Sequence, residues 1–151
     1  MTKMSPMKGA CRCGKLKFTI SAPALITSAC HCAGCQKMSA SAYSLSVIIP
    51  REGFDVVAGE PVIGGLHGAI RHYFCDHCLS WVFTRPDGLE SIVNVRTPML
   101  ENAADFPPFI ETCTAEKLPW AHSGAVRSFE HFPAMDEFET LIGDYAEWRR
   151  P

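Results

Sequence analysis

Eight cysteines in 151 residues constrain this chain more than any other feature, because seven of them fall into tight clusters. The central cluster places three thiols within six residues, at Cys30, Cys32 and Cys35. Side chains this close in sequence can meet at one point only if the backbone turns around something, and a metal ion is the usual partner. Three thiolates are one short of a closed tetrahedral zinc site. The fourth position is therefore left for another ligand, for water or for substrate.

Two further clusters lie apart in the sequence, Cys11 with Cys13 and Cys75 with Cys78. Together they can form a four-thiolate site that clamps two loops, so we interpret this second site as structural. Disulfide bonds, independent free thiols and a redox C-x2-C pair are the alternatives. No apolar signal-peptide stretch follows Met1, and no βαβ pattern of the thioredoxin type surrounds the C-x2-C pair. Metal ligation is therefore the favoured interpretation.

The composition is that of an ordinary globular chain, which we expect to form a single domain over residues 1–151. Hydrophobic residues make up 47% and charged residues 20%, and the formal net charge is -2, all typical of globular proteins. The acidic balance argues against nucleic-acid binding, and no apolar run is long enough to span a membrane. Many cysteines without a signal peptide favour a reducing compartment, so we expect a cytoplasmic protein.

Short strands separated by turns dominate the predicted secondary structure. Leu16, Phe18 and Ile20 alternate with polar residues, which predicts a half-buried strand. Runs rich in Val, Ile and aromatic residues predict further strands over 42–49, 54–58, 70–74, 81–84, 91–95 and 110–114. The first eight residues are expected to form a loose terminus, and the central cluster is expected to form a turn. An apolar stripe predicts a helix over about 135–148. With no βαβ alternation, these elements predict a mainly β fold stapled by metal, with a short C-terminal helix.

The cysteine motifs resemble those of the glutathione-dependent formaldehyde-activating enzyme family, a domain shared with centromere protein V. The resemblance covers about residues 8–122, and weaker matches lie at residues 95–100 and 118–120. The motifs that carry it are Gly9-Ala10-Cys11-Arg12-Cys13-Gly14, Cys30-His31-Cys32-Ala33-Gly34-Cys35-Gln36-Lys37 and His72-Tyr73-Phe74-Cys75-Asp76-His77-Cys78. One departure is that family members carry glycine after the last ligand, where this chain has Leu79.

The resemblance implies a β-tent fold, built from small zinc-stapled β-sheets, with two Zn2+ ions per chain. The implied structural zinc has four ligands: Cys11, Cys13, Cys75 and Cys78. The implied catalytic zinc has three ligands: Cys30, Cys32 and Cys35. The implied activity is that of a carbon-sulfur lyase of the S-(hydroxymethyl)glutathione synthase type, which joins glutathione or a similar small thiol to formaldehyde or a related aldehyde.

An open three-thiolate site suits this activity. Only the thiolate form of a thiol is a good nucleophile toward an aldehyde carbon, and zinc deprotonates a bound thiol. Alternatively, the ion could polarise the carbonyl oxygen as a Lewis acid. A non-catalytic zinc-binding interaction module of the same fold is the alternative function. An enzyme is favoured because a scaffold does not need an open ligand position.

An anionic thiol at a negatively charged site calls for nearby cations. The candidates, close to the clusters or family motifs in sequence, are His31, Lys37, Arg71 and Arg96. His31 could also ligate, or point outward. His72 and His77 are expected beside the structural site or exposed, and Cys113 is expected to be a small buried hydrophobe. No partner pattern accompanies the remaining histidines, which are His67, His122 and His131.

Overall fold

The computed structural model describes residues 5–66 and 68–151, and the chain divides into two compact units. The first unit comprises Met1–Ala24 and Ile48–Phe106, and the second comprises Leu25–Val47 and Pro107–Pro151. Eleven strands in two sheets and two α-helices are present among the described residues. The predicted mainly β fold with a short C-terminal helix is therefore confirmed.

Most strands are four to six residues long. They are β1 (Met7–Ala10), β2 (Lys17–Ile20), β3 (Ile26–Cys30), β4 (Ser44–Pro50), β5 (Phe54–Ala58), β6 (Pro61–Gly64), β7 (Ile70–Cys75), β8 (Trp81–Pro86), β9 (Ile92–Arg96), β10 (Ile110–Thr112) and β11 (Arg127–Ser128). The helices are α1 (Ala33–Ser39) and α2 (Met135–Trp148). No helix within residues 5–66 and 68–151 is long and apolar enough to cross a membrane.

Antiparallel pairing organises the first unit. β1, β2 and β5 form a three-stranded sheet, and β6, β7, β8 and β9 pair in chain order. The alternation at Leu16, Phe18 and Ile20 is confirmed, because all three side chains are at most 1% exposed. The Phe18 ring packs on Phe54, 5.4 Å between ring centres. Burial of these alternate side chains fixes the register of β2, since a shift by one residue would expose them.

Parallel pairing distinguishes the second unit. β10 lies between β3 and β11 and runs parallel to both, while β4 lies on the other side of β3. α2 buries Leu141 and Tyr145, as its apolar stripe predicts. The rings of Tyr145 and Trp148 lie 5.7 and 5.1 Å from the ring of Phe109, which precedes β10. This aromatic cluster anchors the helix beside the strand that follows Phe109.

Several short elements are not predicted by the sequence pattern. The loose terminus expected for the first eight residues is wrong from Met7 onward, because β1 begins there and Met7 pairs with Ile20 of β2. β3, β6, β11 and α1 are also absent from the sequence prediction. These elements have two to seven residues, too few for a hydrophobic period to repeat, and pairing with distant segments stabilises the strands.

Two glycines give a matched pair of substitutions. Gly143 lies inside α2, and Gly88, between β8 and β9, has φ +80°; an added Cβ would meet no atom within 4 Å at either position. Alanine is about 1 kcal/mol better than glycine inside a helix, whereas a left-handed non-glycine residue costs about 1–2 kcal/mol. We expect Gly143→Ala to raise the melting temperature by about 2–4 °C and Gly88→Ala to lower it. Circular dichroism melts check this, and shifts of the same sign would contradict it.

Candidate metal centres

Four cysteines of the first unit converge on one point. Cys11 and Cys13 lie between β1 and β2, Cys75 ends β7, and Cys78 lies in the turn before β8. Their Sγ atoms are all within 4.8 Å of one another, with Cys11 to Cys13 at 3.5 Å and Cys13 to Cys75 at 3.8 Å. Four sulfurs bound about 2.3 Å from a tetrahedral zinc ion would lie about 3.8 Å apart. The spacing therefore fits zinc and is far too long for a disulfide bond.

Hydrogen bonds prepare these sulfurs for metal binding. The backbone N–H of Leu16 donates to Cys11 Sγ at 3.3 Å, and that of Cys78 donates to Cys75 Sγ at 3.5 Å. The Ser80 hydroxyl lies 3.2 Å from Cys78 Sγ and is the main cause that lowers the pKa of Cys78 to about 5. Donors of this kind stabilise the thiolate, the form that binds a metal.

The turn after these cysteines has a left-handed residue at Leu79. Its φ is +58°, and its side chain is exposed. The Leu79 N–H donates to the Cys75 carbonyl at 3.0 Å, and the Cys75 N–H donates to the Ser80 carbonyl at 3.0 Å. Leucine thus adopts the geometry that glycine favours, at a cost of about 1–2 kcal/mol. The turn keeps its hydrogen bonds without the glycine.

A second group, of three cysteines, lies in the second unit. Cys30 ends β3, Cys32 is the N-cap of α1, and Cys35 lies in its first turn. Their Sγ atoms are also within 4.8 Å of one another, and each residue is partly exposed. In the described part of the chain, no other histidine, cysteine or acidic residue joins this group. It therefore offers three ligands, which leaves one position of a tetrahedral ion for a group from solution.

The turn that the sequence predicts here is wrong, because the segment after Cys32 forms the helix α1. Cys32 Sγ accepts a hydrogen bond from the Cys35 N–H at 3.3 Å, the contact that an N-cap oxygen usually makes. α1 has seven residues and buries none of them, so no apolar stripe could reveal it. The available signal is the C-x2-C spacing itself, because residues three apart share one face of a helix.

The three thiols of this group hold their protons unequally. The hydrogen bond from Cys35 lowers the pKa of Cys30 to about 5 against the opposing effect of burial, and the same bond raises the pKa of Cys35. Burial also raises the pKa of Cys32. The hydrogen bond therefore favours the thiolate form at Cys30 over Cys35. A metal that binds all three sulfurs would displace the protons that remain.

His31, between two of these cysteines, faces the interior. Its side chain is fully buried, and Nε2 lies 3.0 Å from Glu111 Oε2. Glu111 also accepts hydrogen bonds from the hydroxyls of Ser123 and Ser128, the latter at 2.8 Å. The ring is thus neither outward-pointing nor part of the ligand group. No sequence pattern marks Glu111, because the carboxylate lies 80 positions from its histidine.

The other candidate cations are dispersed. Lys37 is exposed on α1. Arg71 forms an ion pair with Asp87 at 3.8 Å, and the buried Arg96 places its guanidinium carbon 3.9 Å from the centre of the Trp81 ring. Both arginines belong to the first unit, whereas the three-cysteine group belongs to the second. Lys37 is therefore the only one of the four candidates that is an exposed cation in the same unit as that group.

Four other histidines lie in the described part of the chain. His72 lies 3.0 Å from the Thr84 hydroxyl, and His77 is exposed in the turn between two cysteines of the four-cysteine group. The backbone carbonyl of His122 accepts from Tyr43, and that of His131 accepts from the Cys113 N–H. His67 lies outside the described residues.

Cys113 is buried, as expected for a small hydrophobe, but it is not remote from the three-cysteine group. It follows Thr112, the residue of β10 that pairs with Cys30 of β3. Burial, together with the charge of Cys30, raises the pKa of Cys113 to about 12. Its thiol therefore stays neutral beside the three-cysteine group.

A groove of about 720 Å³ lies in the second unit. Its lining includes Gln36 and Lys37 of α1, together with Tyr43, Trp120 and His122. The Trp120 side chain is 69% exposed and offers an apolar surface. The cysteine sulfurs are not part of this lining, so the groove and the three-cysteine group share α1 rather than one cavity.

Comparisons with known proteins identify the family. A family model described as glutathione-dependent formaldehyde-activating enzyme matches residues 6–116, which include all seven clustered cysteines. A crystal structure of a Rhodobacter sphaeroides protein is similar with a TM-score of 0.54 and 19% sequence identity, over 64% of this chain and 89% of that chain. At this identity the similarity supports the fold alone. A search of curated proteins gave no significant match.

Glu111→Gln tests the buried pair. Burial opposes the charge of Glu111, but hydrogen bonds from Ser123, His31 and Ser128 outweigh it and lower its pKa from 4.5 to about 2. Because the folded-state pKa is depressed, the carboxylate stabilises the fold above about pH 4.5, and this stabilisation is lost as the pH falls toward 2. We expect Glu111→Gln to lower the free energy of unfolding by about 2–4 kcal/mol at neutral pH.

Urea denaturation measures this loss of unfolding free energy in Glu111→Gln. The difference in unfolding free energy between the variant and the wild type should shrink below about pH 3. The control is Glu139→Gln, an exposed substitution on α2. It should change neither the free energy of unfolding nor its dependence on pH. A difference between wild type and Glu111→Gln that is independent of pH would contradict this role for the carboxylate.

Proposed function

We propose, from the premise that this chain belongs to the glutathione-dependent formaldehyde-activating enzyme family, that it is a zinc-dependent carbon-sulfur lyase. It would join a small thiol such as glutathione to formaldehyde or a related aldehyde. The observation that carries this proposal is the group of Cys30, Cys32 and Cys35, which offers one ligand fewer than a closed zinc site. The four-cysteine group offers a complete ligand set, which suits a structural ion. Each chain would then hold two Zn2+ ions.

The reaction needs an ionised thiol and no external oxidant or reductant. The thiol sulfur forms a bond to the carbonyl carbon while the carbonyl π bond breaks, and the proton lost by sulfur ends on the new hydroxyl oxygen. A thiol near pKa 8.5 is mostly protonated at neutral pH, and only its thiolate attacks well. When bound by the three thiolates, zinc supplies this ionisation of the substrate thiol.

α1 gives the site its rigidity. Cys32 begins the helix, and the Gln36 side-chain amide donates to the carbonyls of His31 at 2.7 Å and Glu116 at 3.0 Å. These bonds join the helix to the end of β3 and to the loop after β10. The sulfurs of Cys32 and Cys35 are therefore held by a helix that is tied to both neighbouring segments, and the sulfur of Cys30 is held by the end of β3. Fixed ligand positions keep the open side of the group accessible to a thiol.

The groove along α1 suits the rest of the thiol molecule. Glutathione carries carboxylates, and Lys37 places an exposed ammonium group in the groove lining. Trp120 and Tyr43 provide aromatic surface for its peptide chain. We therefore assign the groove to the thiol substrate. The thiolate ligands require a reducing compartment, which supports a cytoplasmic location.

Cys75→Ser and Cys32→Ser separate the two metal groups. Cys13 and Cys75 are 62 positions apart, so an ion that joins them closes a long loop and its binding energy becomes folding energy. We expect Cys75→Ser to lose secondary structure and zinc. Cys32→Ser should stay folded, fall from about two zinc ions per chain to about one, and form no adduct. Far-UV circular dichroism, elemental analysis and NMR with labelled formaldehyde measure these outcomes.

Cys113→Ser is the matched control, because it removes a buried thiol outside both groups and should keep both ions. If Cys32→Ser unfolds as Cys75→Ser does, the division into a structural and a catalytic group is wrong. If it stays folded and fully active, the catalytic assignment is wrong. A wild-type protein that binds both ions but forms no adduct would favour the interaction module.

Lys37→Gln tests the groove. Losing one exposed cation should raise KM for glutathione about two- to fivefold and leave kcat unchanged, because such contacts stabilise ground and transition states alike. The neutral thiol 2-mercaptoethanol should show no comparable change. Lys17→Gln, an exposed substitution on β2, is the control. Equal effects on the two thiols would mean that Lys37 does not recognise the substrate. The proposed metal ligands would be unaffected by that result.

A further inference from the structure

The first unit contains a small cavity that neither cysteine group contributes to. Its volume is about 200 Å³, enough for one phosphate-sized ion. Three arginines from separate segments line it, Arg51 after β4, Arg71 of β7 and Arg85 of β8, together with Asp87 and Glu90. Three guanidinium groups and two carboxylates leave a net charge of about +1 in the lining.

Arg85 is held in place by aromatic rings. Its guanidinium carbon lies 5.4 Å from the ring centre of Phe83, 5.9 Å from that of Tyr73 and 6.0 Å from that of Phe54. Its Nε is buried and has no hydrogen-bond partner among the described residues. A buried N–H of a charged group without an acceptor is costly to the folded protein. The three rings thus hold the positive charge of Arg85 in the cavity lining.

The carboxylates of the lining do not neutralise this cluster. Arg71 Nε and Asp87 Oδ1 are 3.8 Å apart, longer than a hydrogen bond, and both side chains are about half exposed. Across residues 5–66 and 68–151, no ion pair within 4.0 Å links Arg51 or Arg85 to a carboxylate. The guanidinium groups of both residues therefore retain donors for a ligand.

We propose that this cavity is a binding site for a phosphate-class oxyanion. Guanidinium groups bind oxyanions through paired N–H donors, and three of them from different segments can contact a tetrahedral anion from several sides. A phosphate would compensate the positive lining, and its four oxygens can accept from donors on several sides. A carboxylate offers only two oxygens. The site is independent of the thiol chemistry proposed for the second unit.

NMR of the zinc-loaded protein tests this site through the Nε–Hε signals of its arginines. Inorganic phosphate and the phosphate monoester phosphoserine are titrated separately, with chloride at matched ionic strength as the reference. The Arg85 signal should shift and saturate with a phosphate ligand but not with chloride. Tighter binding of inorganic phosphate identifies a free ion as ligand, and tighter binding of phosphoserine identifies a phosphate group carried by a larger molecule.

Arg51→Gln and Arg71→Gln are the test variants, because Arg85 packs on three rings and its loss could unfold the unit. Each should weaken phosphate binding about tenfold, as expected for losing one charge-assisted contact. Arg150→Gln, an exposed substitution after α2, should leave it unchanged. The proposal would be overturned by a shift that does not saturate or that chloride reproduces. It would also be overturned by a shift that persists equally in Arg51→Gln and Arg71→Gln.

Discussion

Convergence of four sulfurs from two distant segments is the constraint on which the first unit depends. Cys11 and Cys13 must meet Cys75 and Cys78 although more than sixty residues separate the pairs, and the structure brings all four Sγ atoms within 4.8 Å. Thiolates at this distance repel one another, so a cation is needed to hold them as ligands. The turns before β2 and before β8 direct their N–H groups at these sulfurs. Sheet pairing and the proposed metal ligation would thus fix the same two loops.

The three-cysteine group is built differently, because its ligands are local. They span the end of β3 and the first turn of α1, so the fold of the second unit does not require an ion to bring them together. Its support comes from side chains instead: Gln36 ties α1 to its neighbours, and Glu111 holds His31 in the interior. A group that the fold already positions can leave one coordination position free. On this difference we propose a structural role for the four-cysteine group and a catalytic role for the three-cysteine group.

Local patterns account for what the sequence could predict. The alternation of Leu16, Phe18 and Ile20 and the stripe on α2 describe one face of one element, so they could be recognised without knowing the partners. Cysteine spacing likewise indicated metal ligation before any contact was known. The single-domain organisation of residues 1–151 and the division of metal roles stay predictions. The weaker Leu118-Pro119-Trp120 match to the family corresponds to part of the groove lining.

Contacts between distant residues explain what the sequence could not predict. α1 depends on a cysteine in the place of an N-cap oxygen, and β10 lies parallel to β3 across some 80 positions. The burial of His31 follows from Glu111, and the cavity of three arginines follows from the register of β7 on β8, where Arg71 faces Arg85. Each of these features depends on the pairing of two segments, and the sequence of one segment alone does not encode it.

We propose that Cys30, Cys32 and Cys35 hold zinc with one position open to a substrate thiol. Zinc X-ray absorption spectroscopy measures it directly through the average number of sulfur ligands per zinc ion. With both ions bound, we expect about 3.5 sulfurs per zinc without substrate and about 4 after addition of glutathione. A value that is already 4 without glutathione, or that does not rise when glutathione is added, would contradict the claim.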